Sequence, residues 1–168
     1  LIFFGAIAAG LVPIPTSEQL TPVECDKVLA DSGARAVIHD GVTALPHDLA
    51  GVLDLGPAEI AALKCCEPAD YADTAADDPA FLVDTSGTSG GPKGVLHAHR
   101  AAWGRRPMYQ GWYGIGESDV LLHAGAFNWT YTLGVGLMDP WANGATSVVY
   151  RGMCDPDVWP TLLESCGA

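Results

Sequence analysis

Between two apolar runs, "AFLVDT" (80–85) and "GVLHAHR" (94–100), the chain inserts the stretch "TSGTSGGPKG" (85–94). Each run is short enough for a strand, and the second reads as a strand returning from the loop. Glycine loses more backbone freedom on folding than any other residue, so ordering such a loop implies a task. Backbone N–H groups of a glycine-rich turn converge on anions, hydroxyls add donors, and lysine adds a point charge suited to phosphate. Thr85, Ser86, Thr88 and Ser89 supply the hydroxyls here. Gly87, Gly90 and Gly91 form the turn, and Lys93 is the cation. The stretch therefore reads as a phosphate-binding loop.

It is not one of the two commonest kinds. A Walker A loop needs a glycine before its lysine and a Ser or Thr after it. Lys93 stands between Pro92 and Gly94, and proline disfavours a helix running through the lysine. The stretch contains no G-x-G-x-x-G either.

The rest of the chain alternates helix-like and strand-like segments. Thr21, Pro22 and Glu24 form a helix start with a capping box, and the helix ends at Ser32-Gly33. "ARAVIHD" (34–40) and "GVLDL" (51–55) read as strands, and "PAEIAALKCC" (57–66) as a helix. A helix is expected over 100–113, a strand over 119–125 and an apolar helix over 129–144. A strand follows at 145–150, then a helix from 155 with Asp155 as its cap. "LIFFGAIAAGLVPI" reads as a buried helix running into a short strand, too short to span a bilayer. The alternation implies an α/β fold with a largely parallel sheet.

Charge narrows the function further. With 20 Asp and Glu against 8 Lys and Arg, the net charge is −12. That balance argues against a broad nucleic-acid or anionic-membrane surface. Yet Lys93, Arg100, Arg105 and Arg106 fall close together beside the glycine loop. Arg105 and Arg106 read equally as part of that cluster or as a solvated helix face. The acidic run Asp70–Asp78, Glu117 and Asp119 read as surface, and no carboxylate pair for acid–base work emerges from them. The five cysteines include no C-x-x-C pair, so neither a disulfide framework nor a zinc site is implied. They read as small buried or half-buried residues in a reduced, cytoplasmic setting. His97 and His99 would share one strand face, but no third metal ligand accompanies them.

The segment "FLVDTSGTSGGPKGVLHAHR" resembles the phosphate-loop signature of the AMP-forming adenylating enzymes. These include acyl- and aryl-CoA synthetases, peptide-synthetase adenylation domains and luciferases. The pattern [ST]-[SG]-G-[ST]-T-G-x-P-K-G is matched at Thr85, Ser86, Gly87, Thr88, Gly90, Pro92, Lys93 and Gly94. Ser89 stands where threonine is usual, and keeps the hydroxyl. "DVLLHAGAFNWTYTLGVGLMDPWANGATSVVYRG" resembles the family region that shapes the acyl pocket, most like the acetyl and benzoate types. "FFGAIAAGLVPIPTSEQLTPVECDKVLADSGARAVI" resembles a third family segment.

The resemblance implies that residues 1–168 are part of the N-terminal AMP-binding domain of an ATP-dependent carboxylate–CoA ligase. ATP, Mg2+ and coenzyme A would be its cofactors, and a small or aromatic carboxylic acid its substrate. The Thr85–Gly94 loop would hold ATP phosphates through Thr85, Ser86, Gly87, Thr88, Ser89, Gly90 and Lys93. His123, Phe127 and Trp129 read as pocket lining or, equally, as ordinary core residues. His99-Arg100 would cap the following helix. No catalytic residue is assigned within the chain. The catalytic lysine and smaller C-terminal domain are expected beyond Ala168, so these 168 residues alone are expected to be inactive. A phosphoryl-transfer enzyme with an atypical loop, or a non-catalytic nucleotide-binding relic, remains the alternative.

Overall fold

Short apolar runs separated by turn residues pair locally, and in this chain the strands pair two at a time. The computed structural model describes residues 1–86, 92–152 and 155–168, with only the backbone described at Ser86 and Pro92. The chain divides into two units, Leu1–Pro15 with Ala72–Ala168, and Thr16–Tyr71.

The first unit begins with α1 (Ile2–Ala8). Phe3 and Ile7 pack towards the core while Leu1 and Ile2 stay exposed, so the helix is half-buried rather than buried. The expected strand after it does not form. Pro13 and Pro15 have no N–H to give a ladder, although the Pro13 carbonyl accepts from Leu82 N at 3.1 Å.

In the second unit, α2 (Pro22–Ser32) starts at the expected capping box and stops at Gly33. β1 (Ala36–Ile38) and β2 (Leu53–Leu55) are parallel, with Ala36 opposite Leu53. α3 (Pro57–Leu63) ends before Cys65 and Cys66. Both thiols are therefore exposed, contrary to expectation, and donate to the carbonyls of Ala61 and Ala62. Cys25 and Cys166 are half-buried, and Cys154 lies outside the described residues.

The first unit resumes with β3 (Pro79–Ser86) and β4 (Pro92–Ala98), an antiparallel hairpin in register from Phe81–His97 to Ser86–Pro92. The connection is too short for the crossover that a parallel pair requires. His99 falls beyond β4, so it does not share a strand face with His97. It occupies the position before α4 (Arg100–Gly104) without a side-chain capping bond, and Arg100 pairs instead with Asp77 at 2.7 Å. The expected 100–113 helix breaks at Arg105, because Pro107 cannot donate to the preceding turn. α5 (Arg106–Met108) and a π-helical turn, Tyr109–Tyr113, complete it.

β5 (Val120–Leu122) pairs in parallel with β6 (Thr146–Val148). Between them the expected 129–144 helix is realised in three pieces. These are α6 (Thr130–Leu133), a π-helical turn Gly134–Met138, and α7 (Asp139–Ala142). α8 (Val158–Cys166) follows. Asp155 does not cap it. Its carboxylate accepts from Asp157 N at 3.0 Å, closing the turn ahead of the helix. The α/β class holds, and among the described residues the strands form two parallel pairs and one hairpin in place of a continuous sheet. No described helix is long and apolar enough to cross a membrane.

Ala80, Phe81, Val83 and Leu133 form the core, and Phe3, Ile7, Phe127, Leu137 and Met138 pack against it. The hairpin and the 130–142 helix thus share one apolar contact.

Candidate functional site

The described ends of the phosphate loop are the tips of β3 and β4. Hairpin register sets Thr85 opposite Lys93, and Asp84 opposite Gly94. The Thr85 hydroxyl donates to the Lys93 carbonyl at 3.1 Å, so its proton is already engaged. Lys93 is exposed. Gly87, Thr88, Ser89 and Gly90 lie outside the described residues, as does the side chain of Ser86. Two of the four cations beside the loop pair with acids: Arg100 with Asp77, on the surface, and Arg105 with Asp139. Arg106 is exposed, with its guanidinium 3.9 Å from the centre of the Trp103 ring.

His123 and Phe127 come together where β5 leads into α6. His123 is half-buried; its Nδ1 accepts from Gly125 N at 3.0 Å, and its ring meets Tyr131 edge-on at 5.5 Å. Burial holds its pKa below the ordinary value. Both residues face Gly136, where a Cβ would lie 2.8 Å from His123 Cβ and 3.7 Å from Phe127 Cε1. Trp129, in contrast, is 54% exposed and is no core aromatic.

Sequence reading missed a buried ion pair, Arg105 with Asp139. Arg105 gives Nε and Nη2 to the two carboxylate oxygens of Asp139, each at 2.6 Å. Asp139 is 0% exposed and Arg105 20%. The hydrogen bonds to Asp139 push the Arg105 pKa up. The available signal was Asp139 itself, alone as a charge in the apolar stretch 129–144, because a buried charge demands a partner.

Across the hairpin, His97 stacks on Phe81 with ring centres 4.5 Å apart and planes 9° apart. Its Nε2 is buried without a hydrogen-bond partner. Burial, and then the nearby Arg105 charge, lower its pKa from the ordinary 6.5. The unfolded chain therefore takes up this proton first. Stability is full above pH 6.5 and is lost as pH falls from there through the folded-state pKa. Replacing His97 by Gln is expected to flatten this acid limb in urea titrations between neutral and mildly acidic pH. An unchanged slope would assign the limb to other groups, such as His123.

No three His, Cys, Asp or Glu side chains converge to hold a metal among the described residues, so none is assigned to magnesium.

The model of the AMP-binding enzyme family matches residues 1–167. The chain belongs to that family. It is 34% identical over 172 residues to the 4-hydroxybenzoate–CoA/benzoate–CoA ligase of Rhodopseudomonas palustris, covering 89% of this chain and 31% of that protein. Its fold is similar to part of the benzoate CoA ligase of Burkholderia xenovorans, with a TM-score of 0.83 and 30% identity over 96% of this chain and 35% of the other. ATP-bound MatB from Rhodopseudomonas palustris superposes with a TM-score of 0.80 and 25% identity, covering 98% of this chain and 35% of the other. The chain thus spans about a third of the length of the curated relatives it matches.

Proposed function

We propose that residues 1–168 form part of the N-terminal AMP-binding domain of an ATP-dependent acid–CoA ligase acting on a small aromatic carboxylic acid. The observation that carries this is the hairpin: β3 and β4 flank the Thr-Ser-Gly-rich sequence, the return strand opens on Pro92-Lys93-Gly94, and the register sets Lys93 opposite Thr85. The chemistry proposed for the whole protein has two steps. The acid's carboxylate oxygen attacks the α-phosphorus of ATP, forming an acyl-adenylate and releasing pyrophosphate. The thiol of coenzyme A then attacks the acyl carbon and releases AMP.

Within this chain the work is positioning and charge neutralisation. Lys93 would offset charge on the leaving pyrophosphate, and the hydroxyls and backbone N–H groups of Ser86 to Gly90 would donate hydrogen bonds to it. Thr85 would hold the strand end that carries Lys93 by its bond to the Lys93 carbonyl. His123 and Phe127 would form one wall of the acid site and Trp129 its exposed rim. The relatives named for benzoate and hydroxybenzoate support an aromatic acid. A phosphoryl-transfer reading would explain the loop but leave the 119–152 region unaccounted for.

Lys93→Ala in the full-length protein is expected to slow ATP–pyrophosphate exchange with benzoate by about 100- to 1000-fold, with a melting temperature near that of the wild type. Exchange at the wild-type rate would remove Lys93 from the phosphate site.

A further inference from the structure

We propose that Arg105 is a positioning residue: it clamps the π-helical turn Gly134–Met138 and thereby fixes the acid-binding wall of the site. The proposal rests on reading His123 and Phe127 as that wall.

A π-helical turn takes one more residue than an α-helical turn, is rare, and is found mostly as single turns inside α-helices, often at functional sites. One planar group holds both ends of this one. The Arg105 guanidinium lies over the backbone of Gly134, the first residue of the turn. A Cβ there would collide with it, with Nη1 at 2.7 Å. The same guanidinium grips the carboxylate of Asp139, the residue immediately after the turn, through Nε and Nη2. The fork cannot move aside without breaking a bond to a fully buried carboxylate.

Two residues along, Gly136 seats His123 and Phe127. The clamp and the wall therefore share one turn. If the turn relaxed to α-helical spacing, the helix on one side would rotate by about 100° against the other. Gly134 and Gly136 could then no longer face Arg105 and His123 together. Arg105 stands at the junction of α4 and α5, on the segment that follows β4, so the clamp also links the phosphate hairpin's outgoing chain to the acid wall.

The test uses the full-length protein with Arg105→Gln, Gly134→Ala and the two combined. Hydrogen exchange is followed over residues 134–139, and KM for benzoate and for ATP by pyrophosphate exchange. Arg105→Gln is expected to speed exchange over 134–139 and to raise the benzoate KM about 10- to 100-fold, leaving the ATP KM unchanged. Gly134→Ala, which displaces the guanidinium without removing either charge, is expected to do the same. The double variant should be no worse than the poorer single, since both act on one contact. If Arg105→Gln fails to fold, Gly134→Ala carries the test.

Unaltered exchange over 134–139 in a folded variant would overturn the clamp. Equal increases in both KM values would reduce Arg105 to a general structural role, and would also overturn it. If the wild-type protein activates no acid at all, the ligase reading fails, and the exchange data alone decide the clamp.

Discussion

Asp139→Ala lowers the stability of the protein by about 3–5 kcal/mol, the expected result of stripping one partner from a buried ion pair. The carboxylate is fully buried, and Arg105 is mostly so. Removing the acid leaves a guanidinium out of water with two donors unmade, and its charge cannot be shed by deprotonation. The pair's own net worth is smaller, because both charges were desolvated to make it. Replacing both residues by apolar ones, as in Arg105→Met with Asp139→Leu, is therefore expected to recover much of the loss. Urea unfolding of the single and double variants decides the matter. A single variant within about 1 kcal/mol of the wild type would mean that water reaches Arg105 freely, as it does for surface pairs.

Local chemistry was legible in the sequence and long-range pairing was not. The capping box at Thr21 and Glu24 lies within one helical turn, so its reading needs no tertiary information. The hairpin was equally readable, because Thr85 and Lys93 are brought together by the turn between them. Arg105 and Asp139 are 34 residues apart. Nothing in either neighbourhood distinguishes Arg105, buried against an acid, from Arg106, spread on the exposed face of Trp103. The 129–144 helix was visible in its apolar residues, but its π turn was not. The extra residue is absorbed by a contact with a distant side chain rather than by a local signal. Cys65 and Cys66 failed for a similar reason. Their residue type favours burial, but α3 ends before them and leaves both in solvent.

The second large effect is expected at Phe81. It is 4% exposed, stacks on His97 across the hairpin and meets Phe3 of α1 edge-on at 5.5 Å. Phe81→Ala removes a ring that three elements share and leaves a cavity, at about 3–5 kcal/mol. Phe81→Leu refills part of that volume and should lose less. The two variants also carry a spectroscopic signature. Burial, to which the stacked Phe81 ring contributes, and then the Arg105 charge lower the His97 pKa, so the alanine variant should let it rise as water enters. NMR titration of the His97 ring reads this directly. A destabilised variant whose His97 still titrates as in the wild type would place the desolvating wall elsewhere. Because Phe81 and Val83 share the core with Leu133, loss of the ring loosens the contact between the hairpin and the 130–142 helix. The phosphate loop springs from the first of these elements and the acid wall is built on the second. A defect at Phe81 should therefore weaken both halves of the proposed site, where a defect at Arg105 reaches only one.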